Sequence, residues 1–500
     1  MGPHVITGGQ SIGLPPICSV SLSTSFSRFS AFSRDREMLM STSLLALVAL
    51  IPVSLCIIDP RTVLEDLPSF QEFLALRQRY VNITGDYPYG WRDFGCTVRG
   101  PTPGGPPDVH HLRPGDIKVI AAIGDSLSAG KEALSATVDE FGSEYRGVAF
   151  DIGEDEELEA RATLPSILRK FASGLVGSSK SSGGLMYTKG TVDDFNVAIS
   201  GSTTQDLEGQ IDDLEERMRR STNVDMESDW KLVTVFIGSN DLCRIGGKID
   251  YSPEAYIDRL RKALAALKAR FPRTLVNLIP AFNVFTLLAT HDSSAFCKQL
   301  HTLACPSMFR YARNETEAFY ASYRNLVLSL PREFNSDTFA ITVNPALGLE
   351  KLPELWGTPQ YALIAIDCFH FSGVTHDFAA KLVWDNLMRP ENDRKNASDF
   401  STLDFSKLEC PITDCPYLHT NGTSCIHTKP ALRVIVTPTT NPPKEGLDYR
   451  NLISLSALGA GLIIVASGLI AIIVRTRRRY KQVTTEHTPL LTAQYYETIV

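Results

Sequence analysis

The chain lacks the two patterns that most often announce a metal in an enzyme or a sensor. It has no His-Glu-x-x-His stretch and no oxygen-rich calcium loop. Metal chemistry has no motif to rest on, and no metal or other cofactor is expected. A positive surplus is also missing: 49 Lys and Arg against 56 Asp and Glu leave a net charge of −7 and a pI near 5.9. Without a basic, aromatic-interleaved patch this excludes nucleic-acid binding. No internal repeat is found. What remains is ordinary for a folded protein, 43% hydrophobic and 21% charged, and 500 residues leave room for two or three domains.

The most informative stretch is Ile123-Gly124-Asp125-Ser126-Leu127. An apolar, β-branched run, Ile117–Ile123, precedes it and reads as a buried strand. Helix-compatible residues, Lys131–Ala136, follow. A serine at a strand-to-helix turn exposes its hydroxyl, and its own N–H would lie at a helix N-terminus that favours a developing anion. Alone, Gly-Asp-Ser is more often just a turn with an Asx-type bond.

Three further segments change the balance. Asp367-Cys368-Phe369-His370-Phe371-Ser372 lies 244 residues on, counted from Ser126 to His370. A histidine three residues after an aspartate can turn one ring nitrogen to that carboxylate and the other to a distant serine, and the order Ser, Asp, His suits a triad built from separate loops. Gly238-Ser239-Asn240-Asp241 follows a second buried-strand run, Lys231–Ile237. The Asn240 amide can donate to an oxyanion, and Gly238 permits close backbone approach. A third run, Phe195–Ser200, ends at Gly201, whose N–H can serve the same anion. Each segment has a bland reading as turn, cap or structural histidine. Together, each at the C-terminal end of a strand, they lie where ligand sites of open α/β sheets lie.

On these residues the chain resembles the SGNH, or GDSL, hydrolases. Ser126, Gly201, Asn240 and His370 fall where that family's four namesake residues fall. FNVAISGSTTQDL, DWKLVTVFIGSNDLC and DCFHFSGVTHDFAAKLVWDNLM are similar to its phospholipase B branch of membrane-associated lipases, and the resemblance extends over residues 59–390. Ser239 stands where a glycine is common in the family; Asn240 is kept. The resemblance implies an α/β fold, a three-layer α/β/α sandwich with a flavodoxin-like parallel sheet. It also implies hydrolysis of phospholipid and lysophospholipid esters, with Ser126 as nucleophile, His370 as base and Asp367 as its orienting acid. The Ser126 and Gly201 N–H groups and the Asn240 side chain would form the oxyanion hole, with Gly124, Asp125 and Gly238 in support. Related lipases carry tandem catalytic units; this chain has one.

Ser43–Cys56 is a short apolar segment behind Arg34 and Arg36, with Met38 or Met40 as a candidate start. It reads as a signal peptide, 38–58, cleaved around Ser54–Ile58, with 1–37 an upstream extension. Leu452–Val474 holds no charge over 23 residues and is long enough to span a bilayer as a transmembrane helix. Arg475, Arg477, Arg478, Arg479 and Lys481 follow it. The expected product is a type I plasma-membrane protein with its enzyme domain outside the cell. Of ten cysteines, eight follow the signal segment, an even number that suggests disulfides among 105 possible pairings. A zinc reading of Cys410, Cys415 and Cys425 is set aside because the compartment is oxidising. Four glycosylation sequons, at Asn82, Asn314, Asn396 and Asn421, fall on the expected lumenal side.

Strand candidates are Ile117–Ile123, Phe195–Ser200, Leu232–Ile237, Thr274–Ile279 and Phe339–Val343. Helical patterns cover Leu67–Tyr80, Leu207–Arg220, Pro253–Phe271, Asn314–Leu330 and Asp377–Leu387. Their alternation implies a parallel sheet covered on both faces. The expected order is a lead-in (59–111), a catalytic domain (112–390), an extracellular stem (391–451), the membrane helix and a cytoplasmic tail (475–500). Gly174–Gly184 reads as an exposed loop. In the tail, Glu486–Leu491 looks like a dileucine motif for a sorting adaptor, which implies endosomal or lysosomal cycling, and Glu497–Val500 looks like a PDZ ligand. Two rival readings stand beside the phospholipase: an esterase for retinyl, sterol or acyl-sugar esters, and a non-catalytic cell-surface protein on a hydrolase fold.

Overall fold

A computed structural model describes residues 68–83, 87–180, 194–355, 358–397 and 408–425. The extension, signal segment, Leu452–Val474 and tail lie outside these residues. Among the described residues no helix is long and apolar enough to cross a membrane.

Four apolar runs form one parallel sheet in the order β1-β2-β3-β4: β1 Ile117–Gly124, β2 Trp230–Phe236, β3 Thr274–Ile279 and β4 Phe339–Val343. One register row runs Ile123, Val235, Leu278, Val343 across it. Every residue of β2, β3 and β4 is buried, so both sheet faces are covered, as continuous rather than alternating hydrophobicity requires.

The helices include α1 Pro68–Ile83, α2 Leu207–Arg220, α3 Ser239–Arg244, α4 Pro253–Arg270, α5 Ala295–Ala304, α6 Arg313–Val327 and α7 Gly373–Leu387. Helices α2, α4 and α6 are the crossovers between successive strands and pack side by side, as right-handed connections dictate. The other face takes α7, which packs with the short helix Leu164–Arg169. A buried polar ladder docks α7. Asn277 donates to Thr234 (3.2 Å), Asn344 to Asn277 (3.2 Å), and Asn386 of α7 to Asn344 (2.9 Å). Buried amides that satisfy one another fix a single register.

Three expectations are corrected. Phe195–Ser200 is not a regular strand. It runs parallel to β1 through isolated bridges, with Ala122 N–H donating to Phe195 O (3.1 Å) and Val197 N–H to Ala122 O (3.0 Å). Its backbone is diverted locally, since Asp194 accepts from Asn196 N–H and the Asn196 side chain from Ala198 N–H. Arg146 and Arg217 take the carbonyls of Asp194, Asn196 and Ala198. Those guanidinium groups close the sheet edge to a further strand.

Residues 174–179 of the expected exposed loop also line β1. Val176 exchanges hydrogen bonds with Lys118 and Ile120 (both 2.9 Å), and Gly177 and Ser179 are buried. The rest of that loop, from residue 181, lies outside the described residues. Finally, no helix follows Ser126. Residues 126–130 form turns, and left-handed backbone at Gly130 (φ 65°) and Glu132 (φ 59°) prevents a helix from propagating.

Segments outside the expected catalytic boundaries pack on the domain. Phe70 and Phe73 of α1 meet Phe296 of α5. Residues 408–425 lie against it through Leu418 N–H to Leu112 O (2.8 Å) and Trp384 Nε1 to Glu409 O (2.8 Å). The eight cysteines pair as Cys96–Cys410, Cys243–Cys305, Cys297–Cys368 and Cys415–Cys425. The three thiols of the zinc alternative are thus all joined in disulfides.

Candidate active site

The turn carrying Ser126 is built by side chains that replace missing secondary structure. Asp125 Oδ1 accepts the Leu127 N–H (3.0 Å), an Asx turn, while its buried Oδ2 has no hydrogen-bond partner among the described residues. Burial pushes the Asp125 carboxyl up to about 7. Ser126 O accepts the Lys131 N–H (2.9 Å).

Across the turn, His370 Nε2 lies 2.7 Å from Ser126 Oγ, and His370 Nδ1 is hydrogen-bonded to Asp367 Oδ2. Asp367 Oδ1 accepts the N–H groups of Phe369 (3.1 Å) and His370 (3.0 Å). Burial raises the Asp367 carboxyl, but the His370 charge and these donors outweigh it and hold it below the ordinary carboxylate value. The loop is pinned by its neighbour Cys368, which adopts φ 59°, forms the disulfide to Cys297 and has its carbonyl bonded by His301 Nε2 (3.0 Å).

A second group forms at the end of β2. Asn240 Nδ2 donates to Ser202 O (2.9 Å), Asp241 accepts from Thr204 N–H (3.0 Å), and Arg244 donates to Gly201 O (3.1 Å). These bonds hold the Gly201 loop to α3. Gly201 has φ 84°, and nothing lies within 4 Å of where a β-carbon would stand, so backbone geometry and not crowding calls for glycine. Gly238 has φ 122°, and a β-carbon there would meet Tyr256 at 2.7 Å and Ala281 at 2.9 Å. Asn314, Asn396 and Asn421 are exposed. Asn82 falls in α1, and its side chain is outside the described residues.

The sequence reading missed Gln210, which joins the two groups. Its side chain accepts from Gly124 N–H (2.9 Å) and donates to Gly124 O (2.8 Å) and Ser202 Oγ (3.1 Å). It grips the last residue of β1 and the Gly201 loop at once. A signal did exist: Leu207, Gln210, Ile211, Leu214 and Met218 are the buried face of α2, and a glutamine in an apolar stripe needs partners. Gln210→Ala should lower turnover by about 10²-fold, the cost of a slight misplacement of reacting groups, measured as kcat on a soluble ester.

Asp151 was also missed. It is fully buried, accepts from Ser128 Oγ (2.6 Å), and burial pushes it up to about 7. Unfolded, an aspartate titrates near ~3.9. Between these values the folded state binds the extra proton, so this contribution to stability is complete below about pH 4 and lost as pH rises through about 7. Asp151→Asn should therefore gain Tm relative to the wild type at pH 8 compared with pH 5. Parallel melting curves check this.

Residues 120–383 match the family model described as GDSL-like Lipase/Acylhydrolase. The chain belongs to this family of ester hydrolases. It is 31% identical over 348 residues to a protein of Mus musculus named "Phospholipase B1, membrane-associated", an alignment covering 66% of this chain and 23% of the mouse protein. A Homo sapiens protein of the same name is 32% identical over 339 residues, covering 65% of this chain and 23% of that protein. The match thus spans less than a quarter of these relatives. Among solved structures, phospholipase A1 from Streptomyces albidoflavus NA297 aligns over 53% of this chain and 97% of its own, at 13% identity and a TM-score of 0.27. At that score the likeness carries no argument; the fold assignment rests on the parallel sheet and the family match.

Proposed function

We propose that the chain is a membrane-anchored serine esterase acting on phospholipids and lysophospholipids. The observation that carries the reading is the hydrogen-bonded sequence Ser126–His370–Asp367. Ser126 Oγ attacks the ester carbonyl while His370 Nε2 takes its proton. Asp367 fixes the imidazole tautomer and stabilises the imidazolium. The Ser126 and Gly201 N–H groups and Asn240 hold the oxyanion. One Asn240 Nδ2 hydrogen is engaged by Ser202, and the second is left for the anion. His370 then protonates the departing alcohol, and water releases the acyl group by the reverse path. The relatives' name supports phospholipid as substrate. Product analysis by mass spectrometry, with the purified ectodomain on phosphatidylcholine and on retinyl, sterol and acyl-sugar esters, tests this. Free fatty acid and lysolipid or glycerophosphocholine are expected; release only from another ester would transfer the assignment to that class.

Anchoring rests on Leu452–Val474 and the Arg475–Lys481 cluster. The protein is placed at the plasma membrane, type I, glycosylated at the sequons, with a PDZ partner at Glu497–Val500 and a sorting adaptor at Glu486–Leu491. Protease applied to sealed cells should remove the catalytic domain and spare a tag placed after Val500. Loss of the tag would mean the opposite orientation.

A further inference from the structure

Helix α5 holds the loop of Asp367 and His370 at two points. Cys297 and His301 stand four residues apart on it and so share a face. Both are buried, and both reach Cys368. Cys297 does so through the disulfide, His301 through Nε2 to the Cys368 carbonyl (3.0 Å). Cys368 has left-handed backbone, φ 59°, which a residue with a β-carbon keeps only where its surroundings impose it. The disulfide fixes the side chain of Cys368, and the His301 bond fixes the peptide that follows. In that planar unit the Cys368 carbonyl accepts from His301, and the Phe369 N–H donates to Asp367 Oδ1 (3.1 Å). One rigid group thus joins His301 to the carboxylate that faces His370.

The direction of each bond follows from the chemistry. A carbonyl only accepts, so His301 Nε2 carries a proton. Burial pushes the His301 imidazole down to about 4, so at neutral pH the ring holds no second proton and its Nδ1 is an acceptor. His291 Nε2 lies 2.9 Å from that Nδ1 and is therefore its donor. His291 is half-buried, and its ring stacks on Phe309 with centroids 5.3 Å apart and planes 8° from parallel. The bonds run one way, from His291 to His301 to the Cys368 carbonyl. A histidine that only filled space beside Cys297 would not need its two nitrogens matched in this way, one to a donor and one to the loop.

We propose that His301, with His291 behind it, is a positioning residue for ester hydrolysis: through the Cys368–Phe369 peptide it aims the Asp367 carboxylate at His370. This role rests on the catalytic reading of Ser126–His370–Asp367. Without the His301 donor the disulfide still ties the loop to α5, so the fold is kept while the peptide is free to turn. A turned peptide carries the Phe369 N–H away from Asp367 and loosens the carboxylate that orients the base. His291 acts one step further out, by satisfying the buried Nδ1 and so holding the His301 ring in place.

The test is kcat and KM of the full chain on a soluble p-nitrophenyl ester, which needs no lipid interface, with Tm measured on each variant. His301→Gln can place an amide N–H near where Nε2 stands and keeps a donor for Cys368; His301→Asn is shorter and reaches only the Nδ1 position. His301→Asn should lower kcat by about 10- to 10²-fold with KM little changed, the cost of a small misplacement of reacting groups. His301→Gln should recover most of that loss. A role in packing alone would lower Tm with kcat intact, or impair the two variants alike, and either result overturns the proposal. Should His301→Asn fold poorly, His291→Ala decides, since it leaves His301 in place and removes only its donor. Its kcat should fall by about three- to tenfold, the worth of one hydrogen bond, and His291→Gln should restore it; an unchanged kcat there overturns the proposal. Ser126→Ala, run alongside, separates the two claims. If it remains active, the catalytic reading fails; if it is inactive while the histidine variants keep their kcat, only the role of His301 and His291 fails.

Discussion

Ser126→Ala should lose at least about 10³ in ester turnover while folding and secretion stay intact. The substitution removes one oxygen, whose bond is to His370 Nε2. The contacts that shape the turn use other atoms: the Asp125 carboxyl, the Gln210 amide and the Ser126 carbonyl. A Tm near that of the wild type with turnover at the residual level separates loss of chemistry from loss of fold. Wild-type-like turnover would remove Ser126 from the nucleophile's role.

Asp367→Asn should be more severe than its size suggests, costing about 10⁴ in kcat with little change in KM. The carboxylate accepts two backbone N–H groups and faces His370 Nδ1. An asparagine can keep the two backbone bonds through its oxygen, so the loop should hold. It then offers an N–H to Nδ1, which favours the tautomer with its proton on Nε2, directed at Ser126. A base already protonated at Nε2 cannot take the serine's proton. Steady-state kinetics of Asp367→Asn and His370→Ala check this; if only the histidine variant is impaired, the base works without this carboxylate.

The sheet was more legible in the sequence than the turns and side chains that shape the candidate site. Strands β1 to β4 are continuous apolar runs, and such runs can be read without tertiary context. The crossover α2 was likewise visible, its buried stripe recurring at helical spacing. Phe195–Ser200 looked the same to that test, yet Asn196 and Asp194 turned its backbone inward on their own side chains. Short helices such as α3, of six residues, lack the length for a periodic signal. The turn after Ser126 misled because helix propensity at Lys131–Ala136 says nothing of the left-handed backbone at Gly130 and Glu132. Disulfide pairing could not be read at all, since Cys96 and Cys410 stand 314 residues apart. Gln210, which reaches the site from α2, carries no motif; its partners at Gly124 and Ser202 are brought close only by the fold.

The most direct test of the central claim is to label the purified ectodomain with a fluorophosphonate and map the adduct by peptide mass spectrometry. An activated serine reacts with such a probe and an ordinary one does not. A single adduct on Ser126, lost in His370→Ala and accompanied by loss of hydrolysis, is the predicted result. An unlabelled protein that still hydrolyses ester, or an adduct confined to another serine, would contradict it.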